Sequence, residues 1–418
     1  MQRNVLVCCG TGCLANGSKA IADEFEKLIK EQNINAKVSC EVKRTGCNGF
    51  CENGPLVKVM PDDIIYYKVK LSDAQEIIDK TLVLGEPVER LLYKDNDGKP
   101  VTKQEENPFY APQLKMALRN IGFIDPLNVE DYIAAGGYEG LKKALSMTQD
   151  EIIEEVKKSG IRGRGGAGFP TWRKWLTAKE QQVEKKYVGC NGDEGDPGAF
   201  MDRSVLEGDP HTVLEGLAIA ALAIGADEGF LYIRDEYGLA VNNINAAIKD
   251  AEAHGILGDH VMGTDRKLKL SVVRGGGAFV CGEETALIAS VEGKVGEPKP
   301  RPPFPAVKGA FEMAFVQYKP EVFRGQVAEN ITDDIELLVY TAAISSDNPE
   351  LMEAKRRGIE CIPRADMLGQ IIDEAHHAMA KTYRKICNAF PDAKIDDDRI
   401  ELKRRKIFGT DATPVFSF

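Results

Sequence analysis

The 418-residue chain has no apolar run near the roughly 20 residues that a membrane-spanning helix needs, so direct membrane insertion is not expected. Its first residues, Met1 to Cys8, lack the basic and apolar regions of a secretory leader and read instead as a strand. A cytoplasmic protein is expected. Positive charge is also short: the net charge of −11 argues against nucleic acid as the principal partner. Nowhere does G-x4-G-K-S/T occur, which excludes a triphosphate-binding loop of that type. What remains is a composition of 43% hydrophobic and 28% charged residues, typical of a globular protein, at a length that asks for two or three domains.

Cysteine is present but unevenly spread. Six of the ten cysteines fall in the first 51 residues, and the other four are scattered singly. In a chain expected to meet reducing surroundings, such crowding points to metal ligation or small buried side chains rather than disulfides. The flanking pattern predicts strands over 4–8, 36–42, 56–60 and 64–69 and helices over 18–31 and 72–82. In the first helix Ile21, Phe25, Leu28 and Ile29 form the buried stripe, with Ser18 as its N-cap. That order suggests a small thioredoxin-like sandwich. Cys8-x4-Cys13 and Cys47-x3-Cys51 sit on its loops, among Gly10, Gly12, Gly46 and Gly49, which let backbone amides turn toward sulfur. Four thiolates in two loop pairs suit an iron–sulfur cluster, with structural zinc as the rival; Cys9 and Cys40 fall outside the pattern and read as packing residues.

Glycine is concentrated in three further loops. Residues 163–168 read Gly-Arg-Gly-Gly-Ala-Gly, residues 190–198 Cys-Asn-Gly-Asp-Glu-Gly-Asp-Pro-Gly, and residues 275–285 Gly-Gly-Gly-Ala-Phe-Val-Cys-Gly-Glu-Glu-Thr. Gly163, Gly165 and Gly168 satisfy G-x-G-x-x-G, but a dinucleotide fingerprint must follow a strand. Here a helix over 148–158, capped by Thr148 and Glu151, precedes it. The simpler reading is a phosphate cradle: exposed backbone N–H groups, Pro170 at the start of the next helix, and the positive charge of Lys174. The second loop leaves a strand over 186–190, which places Asn191, Asp193, Glu194 and Asp196 at a strand's C-terminal edge, where α/β proteins bind ligands. Each of these acids could instead be a solvated turn residue or a helix cap. A strand over 268–274 feeds the third loop, and Glu283 and Glu284 open the helix after it.

Residues 45–55, Thr-Gly-Cys-Asn-Gly-Phe-Cys-Glu-Asn-Gly-Pro, resemble the thioredoxin-like [2Fe-2S] ferredoxin domain that leads the flavoprotein subunit of NAD(P)-linked, electron-bifurcating hydrogenases. The three glycine loops, with Pro302-Pro-Phe-Pro305 behind them, resemble the FMN- and NADH-binding subunit of respiratory complex I and its relatives. The resemblance implies a [2Fe-2S] cluster on Cys8, Cys13, Cys47 and Cys51, and an FMN phosphate held by Gly163, Gly165, Gly166, Gly168 and Lys174. It implies that Asn191, Asp193, Glu194 and Asp196 contact flavin and nicotinamide, that Gly282, Glu283 and Glu284 line the flavin, and that Phe304 stacks near the adenine. Asp196, Phe279 and Arg301 depart from the complex I pattern, and a shorter acid with an arginine would ease a 2′-phosphate, so NADP(H) stands beside NAD(H) as an expected cofactor.

After residue 311 the likeness ends. The family's flavin-closing segment and its [4Fe-4S] domain are not found; only Cys361 and Cys387 remain downstream. Residues 322–370 resemble the N-terminal domain of UDP-N-acetylmuramate–alanine ligase without its ATP loop, and 371–394 resemble a DEAH helicase segment. The expected fold is therefore α/β throughout: a thioredoxin-like domain (1–85), a linker (86–115), an FMN-binding-type domain (116–311), a ligase-like strand–helix–strand segment (312–370) and a helical tail (371–418). The expected function is an NAD(P)H-oxidising or NAD(P)-reducing flavoprotein subunit, with iron–sulfur subunits as partners. The alternatives are a non-catalytic electron-transfer or scaffold subunit, and a truncated chimera.

Overall fold

The computed structural model describes residues 2–34, 39–95, 97–113, 115–163, 168–195, 199–276, 278–318, 337–340, 349–363, 394–396, 399–401 and 415–417. The chain divides into two compact units, residues 1–325 and 326–418.

The first unit opens with β1 (Gln2–Cys8), α1 (Thr11–Ala15) and α2 (Ser18–Glu31), followed by β2 (Ser39–Thr45), which runs parallel to β1. The hairpin of β3 (Val57–Met60) and β4 (Ile64–Tyr66) completes a sheet of order β2-β1-β3-β4. Ile21, Phe25 and Ile29 recur at four-residue spacing along α2 and are buried in the core of this domain with Val5 and Val59. The helix is not capped by Ser18. Gly17 is the N-cap, with a φ of 86° that favours glycine, and Ser18 is the buried first residue. β2 also runs three residues beyond the expected strand end, while 36–38 lie outside the described residues. Its extension pairs Thr45 with Cys8, so the two cysteine loops leave the sheet side by side. A short helix, α3 (Ala74–Ile77), continues as a wider turn to Leu84 and stops at Gly85.

The segment expected to be a linker is part of this domain. It forms the hairpin of β5 (Tyr93–Lys94) and β6 (Pro100–Val101) and buries Val88, Leu91, Leu92, Val101 and Asn107. The Ile65 N–H donates to the Thr102 carbonyl at 2.9 Å, the Tyr67 N–H to the Leu91 carbonyl at 2.9 Å, and Asn107 Nδ2 to the Tyr67 hydroxyl at 2.8 Å. Asp95, Asp97, Gly98 and Lys99 belong to the hairpin's turn, which is why the composition there imitates a linker.

Next come α4 (Val129–Ala134), α5 (Glu139–Leu145), α6 (Gln149–Ser159) and α7 (Thr171–Glu180), and then β7 (Lys186–Gly192), α8 (Met201–Gly208), α9 (Pro210–Ile224), β8 (Glu228–Arg234), α10 (Gly238–Ala253), β9 (Lys269–Gly275), α11 (Glu284–Val291) and β10 (Ala314–Tyr318). Thr148 and Glu151 form the expected capping box on α6. The four strands make a parallel sheet of order β10-β7-β8-β9. Such sheets are covered on both faces, and β7 is accordingly buried along nearly its whole length. Among the described residues no helix is long and apolar enough to cross a membrane.

β10 lies beyond the expected domain end at residue 311. It pairs with β7 from Ala314↔Lys186 to Tyr318↔Cys190, so the parallel-sheet domain extends through residue 318. Phe315 is fully buried, and its ring occupies the space above Gly189, where a Cβ would come within 2.4 Å of it. Phe315→Ala is expected to destabilise this domain by about 3–5 kcal/mol, read as a lower urea midpoint at unchanged m-value. A change under about 1 kcal/mol would put β10 outside the cooperative fold.

In the second unit, β11 (Leu337–Tyr340), α12 (Pro349–Arg356) and β12 (Glu360–Pro363) form the expected strand–helix–strand piece, with the two strands parallel. The described part of the expected helical tail is instead an antiparallel set of β13 (Lys394–Asp396), β14 (Arg399–Glu401) and β15 (Val415–Ser417). The helicase-like residues 371–393 lie outside the described residues.

Candidate functional site

The ends of β1 and β2 bring the two cysteine loops together. Cys8 and Cys13 are buried, Cys47 is half-buried and Cys51 is exposed. Cys47 Sγ lies 3.7 Å from Cys51 Sγ and accepts the Gly49 N–H at 3.3 Å, while Cys8 Sγ faces the Gly46 carbonyl at 3.6 Å. Two thiolates on one tetrahedral metal with bonds of about 2.3 Å would stand about 3.8 Å apart, so the Cys47–Cys51 spacing needs little change to hold an ion. Glycine makes the approach possible: a Cβ on Gly10 would come within 2.5 Å of Cys47 Cβ, one on Gly54 within 2.7 Å of Cys13 Sγ, and one on Gly12 within 3.1 Å of Cys51 Sγ. The thiols also perturb one another. A hydrogen bond with Cys13 pushes Cys8 up to about 11 and holds Cys13 below the usual thiol value, and Cys47 is pushed up by its hydrogen bond with Cys8 and by burial. Without a cation between them the four sulfurs cannot all ionise, which is the charge problem a metal cluster solves. Among the described residues no group of three or more His, Cys, Asp or Glu side chains surrounds a single ion position. A two-iron cluster asks for two thiolates on each iron instead. Phe50, Tyr67, Tyr93, Phe109 and Tyr110 wall one side, with Phe50 and Phe109 stacked at 4.2 Å. Cys9 and Cys40, each pushed up to about 11 chiefly by burial, pack against the domain core, as expected of them.

The three glycine loops meet at the C-terminal edge of the parallel sheet. The first is closed at its base by the Arg162–Pro170 bridge and by the Gly163 N–H donating to the Phe169 carbonyl at 2.8 Å, with Gly168 at a φ of 58°. Gly165 and Gly166 lie outside the described residues. Pro170 is the N-cap of α7, and Lys174 in the following turn reaches Glu284 Oε1 at 2.9 Å. That ion pair ties the first loop to the third. Asn191, fully buried, ties the second to the third: its Nδ2 donates to the Gly282 carbonyl at 3.0 Å while its Oδ1 accepts the Asp193 N–H at 3.0 Å. The Asp193 carboxylate is 1% exposed and stands 3.6 Å from the Arg234 guanidinium at the end of β8.

Two of the expected acids serve helices. Glu194 Oε1 accepts the N–H groups of Met201 at 2.8 Å and Asp202 at 3.2 Å, and its Oε2 accepts that of Arg203 at 3.2 Å, so it caps α8. Glu283 caps α11 through the N–H groups of Thr285 and Ala286 at 2.8 and 3.0 Å, and faces Arg301 at 3.7 Å. Asp196 lies outside the described residues. Phe304 is 57% exposed, free to offer a ring face. Residue typing alone missed Arg234 and the exposed Phe169 and Phe200, on or beside these loops, while Phe279, noted in the sequence as a departure, is 70% exposed. A charge ending the apolar strand 228–234, and a phenylalanine beside each glycine run, were the available signals.

Residues 2–82 match the family model of the thioredoxin-like [2Fe-2S] ferredoxin, and residues 156–317 that of the Nuo51 FMN-binding domain. Residues 317–376 match the Mur ligase family catalytic domain, where the sequence had pointed to a ligase's N-terminal domain. Over 211 residues the chain is 54% identical to the NADP-reducing hydrogenase subunit HndC of Solidesulfovibrio fructosivorans, covering 50% of this chain and 43% of that one. Over 195 residues it is 48% identical to an NADH-quinone oxidoreductase subunit of Rhizobium meliloti, covering 46% of each. A solved thioredoxin-like [2Fe-2S] ferredoxin from Aquifex aeolicus is 34% identical, with 22% of this chain and 94% of that one covered and a TM-score of 0.21. The chain spans less than half the length of the two curated relatives it matches.

Proposed function

Starting from a chain that joins a thioredoxin-like [2Fe-2S] ferredoxin domain to an FMN-binding domain of the Nuo51 type, we propose that it is the nicotinamide-oxidising or nicotinamide-reducing flavoprotein subunit of a multisubunit dehydrogenase or hydrogenase. The observation that carries this reading is the convergence of all three glycine loops at one sheet edge, through Lys174–Glu284 and Asn191–Gly282, in a fold that also carries the cysteine loops. When bound, FMN supplies hydride exchange with a nicotinamide and single-electron exchange with an iron–sulfur cluster.

The residues present fit both groups. Glycines at 10, 12 and 54 let the cysteine loops approach one another closely, and the glycine loops at the sheet edge carry Lys174 together with the exposed rings of Phe279 and Phe304. Lys174, one turn into α7 beside the first loop, would hold the phosphate. Asn191, locked by its two hydrogen bonds, and the desolvated Asp193 would act from below the surface, by holding the second and third loops in the shape that receives flavin and nicotinamide. Phe304, and Phe279 at 70% exposure, offer stacking faces for the adenine and exclude water once covered. Glu194 and Glu283 act through the helices they cap. Cys8, Cys13, Cys47 and Cys51 hold the irons. Iron–sulfur subunits are the proposed partners, and the exposed Cys51 gives the cluster an edge toward them.

The test is the visible spectrum of anaerobically purified protein before and after addition of NADH, and separately of NADPH. Flavin and iron–sulfur bands are expected, with the flavin band bleaching on addition of one or both nucleotides. A protein that binds no FMN, or whose bound flavin neither nucleotide bleaches, would overturn the assignment.

A further inference from the structure

The last turn of α8 touches both cysteine loops, and Ile121 and Gly122 add to its hold on the second: a Cβ on Gly46 would come within 2.9 Å of the Ile121 side chain, and one on Gly122 within 2.4 Å of Asn48 Oδ1. Glu207 Oε1 accepts the Thr11 hydroxyl at 2.7 Å, and Glu207 Oε2 accepts the Thr11 N–H at 3.4 Å. Thr11 lies between Cys8 and Cys13. Gly208 packs against Gly46, the residue before Cys47: a Cβ built on Gly46 would come within 2.5 Å of Gly208 Cα, and one built on Gly208 within 3.1 Å of Gly46 Cα. Each cysteine loop is therefore held at its own point. The Glu207 side chain is 3% exposed and has Arg203, one turn back, at 3.8 Å. Its backbone carbonyl accepts Asn243 Nδ2 at 2.7 Å, which fixes the end of α8 on α10. The other end of α8 is fixed by Glu194 of the second glycine loop.

We propose that α8 is the spacer that sets the distance between the nicotinamide–flavin edge and the cysteine loops, and that Glu207 is the positioning residue that seats the first of those loops. The proposal rests on the function assigned above. Eight helical residues span about 12 Å, a length fixed by backbone geometry rather than by a flexible tether. A buried carboxylate at this place would be costly as mere filler, because it loses its hydration; the Thr11 donors and Arg203 replace it. Glu207 makes no contact with a reacting atom, so it acts only through where it puts Thr11.

The test uses the full chain with Glu207→Ala, Glu207→Gln and Gly208→Val. Hydrogen exchange followed by mass spectrometry reads the docking directly, with or without bound cofactors. Glu207→Ala and Gly208→Val are expected to speed exchange over 9–14 and 45–49 while β7 and α9 exchange as before; Glu207→Gln, which keeps an acceptor oxygen, should lie between. In anaerobic stopped flow with NADH, the flavin band should bleach at the unaltered rate, while the cluster band follows about tenfold or more slowly in the alanine variant, the size of effect that an ångström-scale misplacement produces. Iron and flavin contents should not change. Unaltered exchange in both Glu207→Ala and Gly208→Val would overturn the docking role. Faster exchange with unaltered cluster bleaching would reduce Glu207 to interface packing and overturn the positioning role. If the unsubstituted protein showed no bleaching by nicotinamide, the functional assignment would fall, and the exchange measurement would still decide the docking.

Discussion

Cys47→Ala will purify with iron and acid-labile sulfide reduced by about tenfold or more, and without the visible circular dichroism of a [2Fe-2S] centre. Cys47 is the sharpest of the four positions to test because it is the middle of the sulfur group. It contacts Cys51 at 3.7 Å, forms a hydrogen bond with Cys8, and receives the Gly49 N–H. Removing it would take away one of the four thiolates that would hold the cluster, and Cys9 and Cys40, the other described cysteines of this domain, are not placed to replace it. Cys9 and Cys40 are packed into the domain core, so Cys9→Ala and Cys40→Ala should keep full iron content. Full iron in Cys47→Ala would show that the ligand set is not these four residues. Loss of iron in Cys9→Ala with an intact fold would say the same. The flavin content of Cys47→Ala should be that of the unsubstituted chain, because among the described residues Cys47 makes no hydrogen bond to the glycine loops.

The parts of this arrangement that could be read from the chain are those encoded at short range. Cys8-x4-Cys13 and Cys47-x3-Cys51, the capping box of Thr148 and Glu151, and the stripe of Ile21, Phe25 and Ile29 all lie within a few turns of backbone. Long-range pairing was not legible. β10 belongs to the sheet because Ala314–Tyr318 finds Lys186–Cys190, more than a hundred residues earlier, and five residues of edge strand carry too little pattern to announce that. Glu207 and Thr11 are 196 residues apart, and nothing in either neighbourhood names the other. Charge misled where it decorated a folded turn, as with Asp95, Asp97 and Lys99 in the β5–β6 hairpin. The acids of the glycine loops show the same ambiguity in finer form. Glu194 and Glu283 look like ligand-binding groups from their motifs, yet in the structure they spend their oxygens on helix N-termini, the alternative that residue type alone could not dismiss.

Lys174→Ala will weaken FMN binding by about 10- to 100-fold, the factor that corresponds to losing one charge-assisted hydrogen bond of about 1.5–3 kcal/mol. Flavin-to-protein ratio after purification and titration of the apoprotein by fluorescence quenching measure it. The interpretation needs a second variant, because Lys174 already pairs with Glu284 at 2.9 Å, with the two side chains 29% and 13% exposed. Removing the lysine leaves that largely desolvated carboxylate without its ion pair, which would lower stability whatever the lysine does for phosphate. Glu284→Gln separates the two effects. It keeps a side chain of the same shape, takes one negative charge from the neighbourhood of the phosphate, and should retain FMN at least as well as the unsubstituted chain. In Lys174→Ala/Glu284→Gln the unpaired charge is gone, so thermal stability should recover toward that of the unsubstituted chain while FMN binding stays weak. If the double variant instead regained both stability and flavin, Lys174 would be a structural partner of Glu284, and the phosphate would be held by the backbone of the first loop alone.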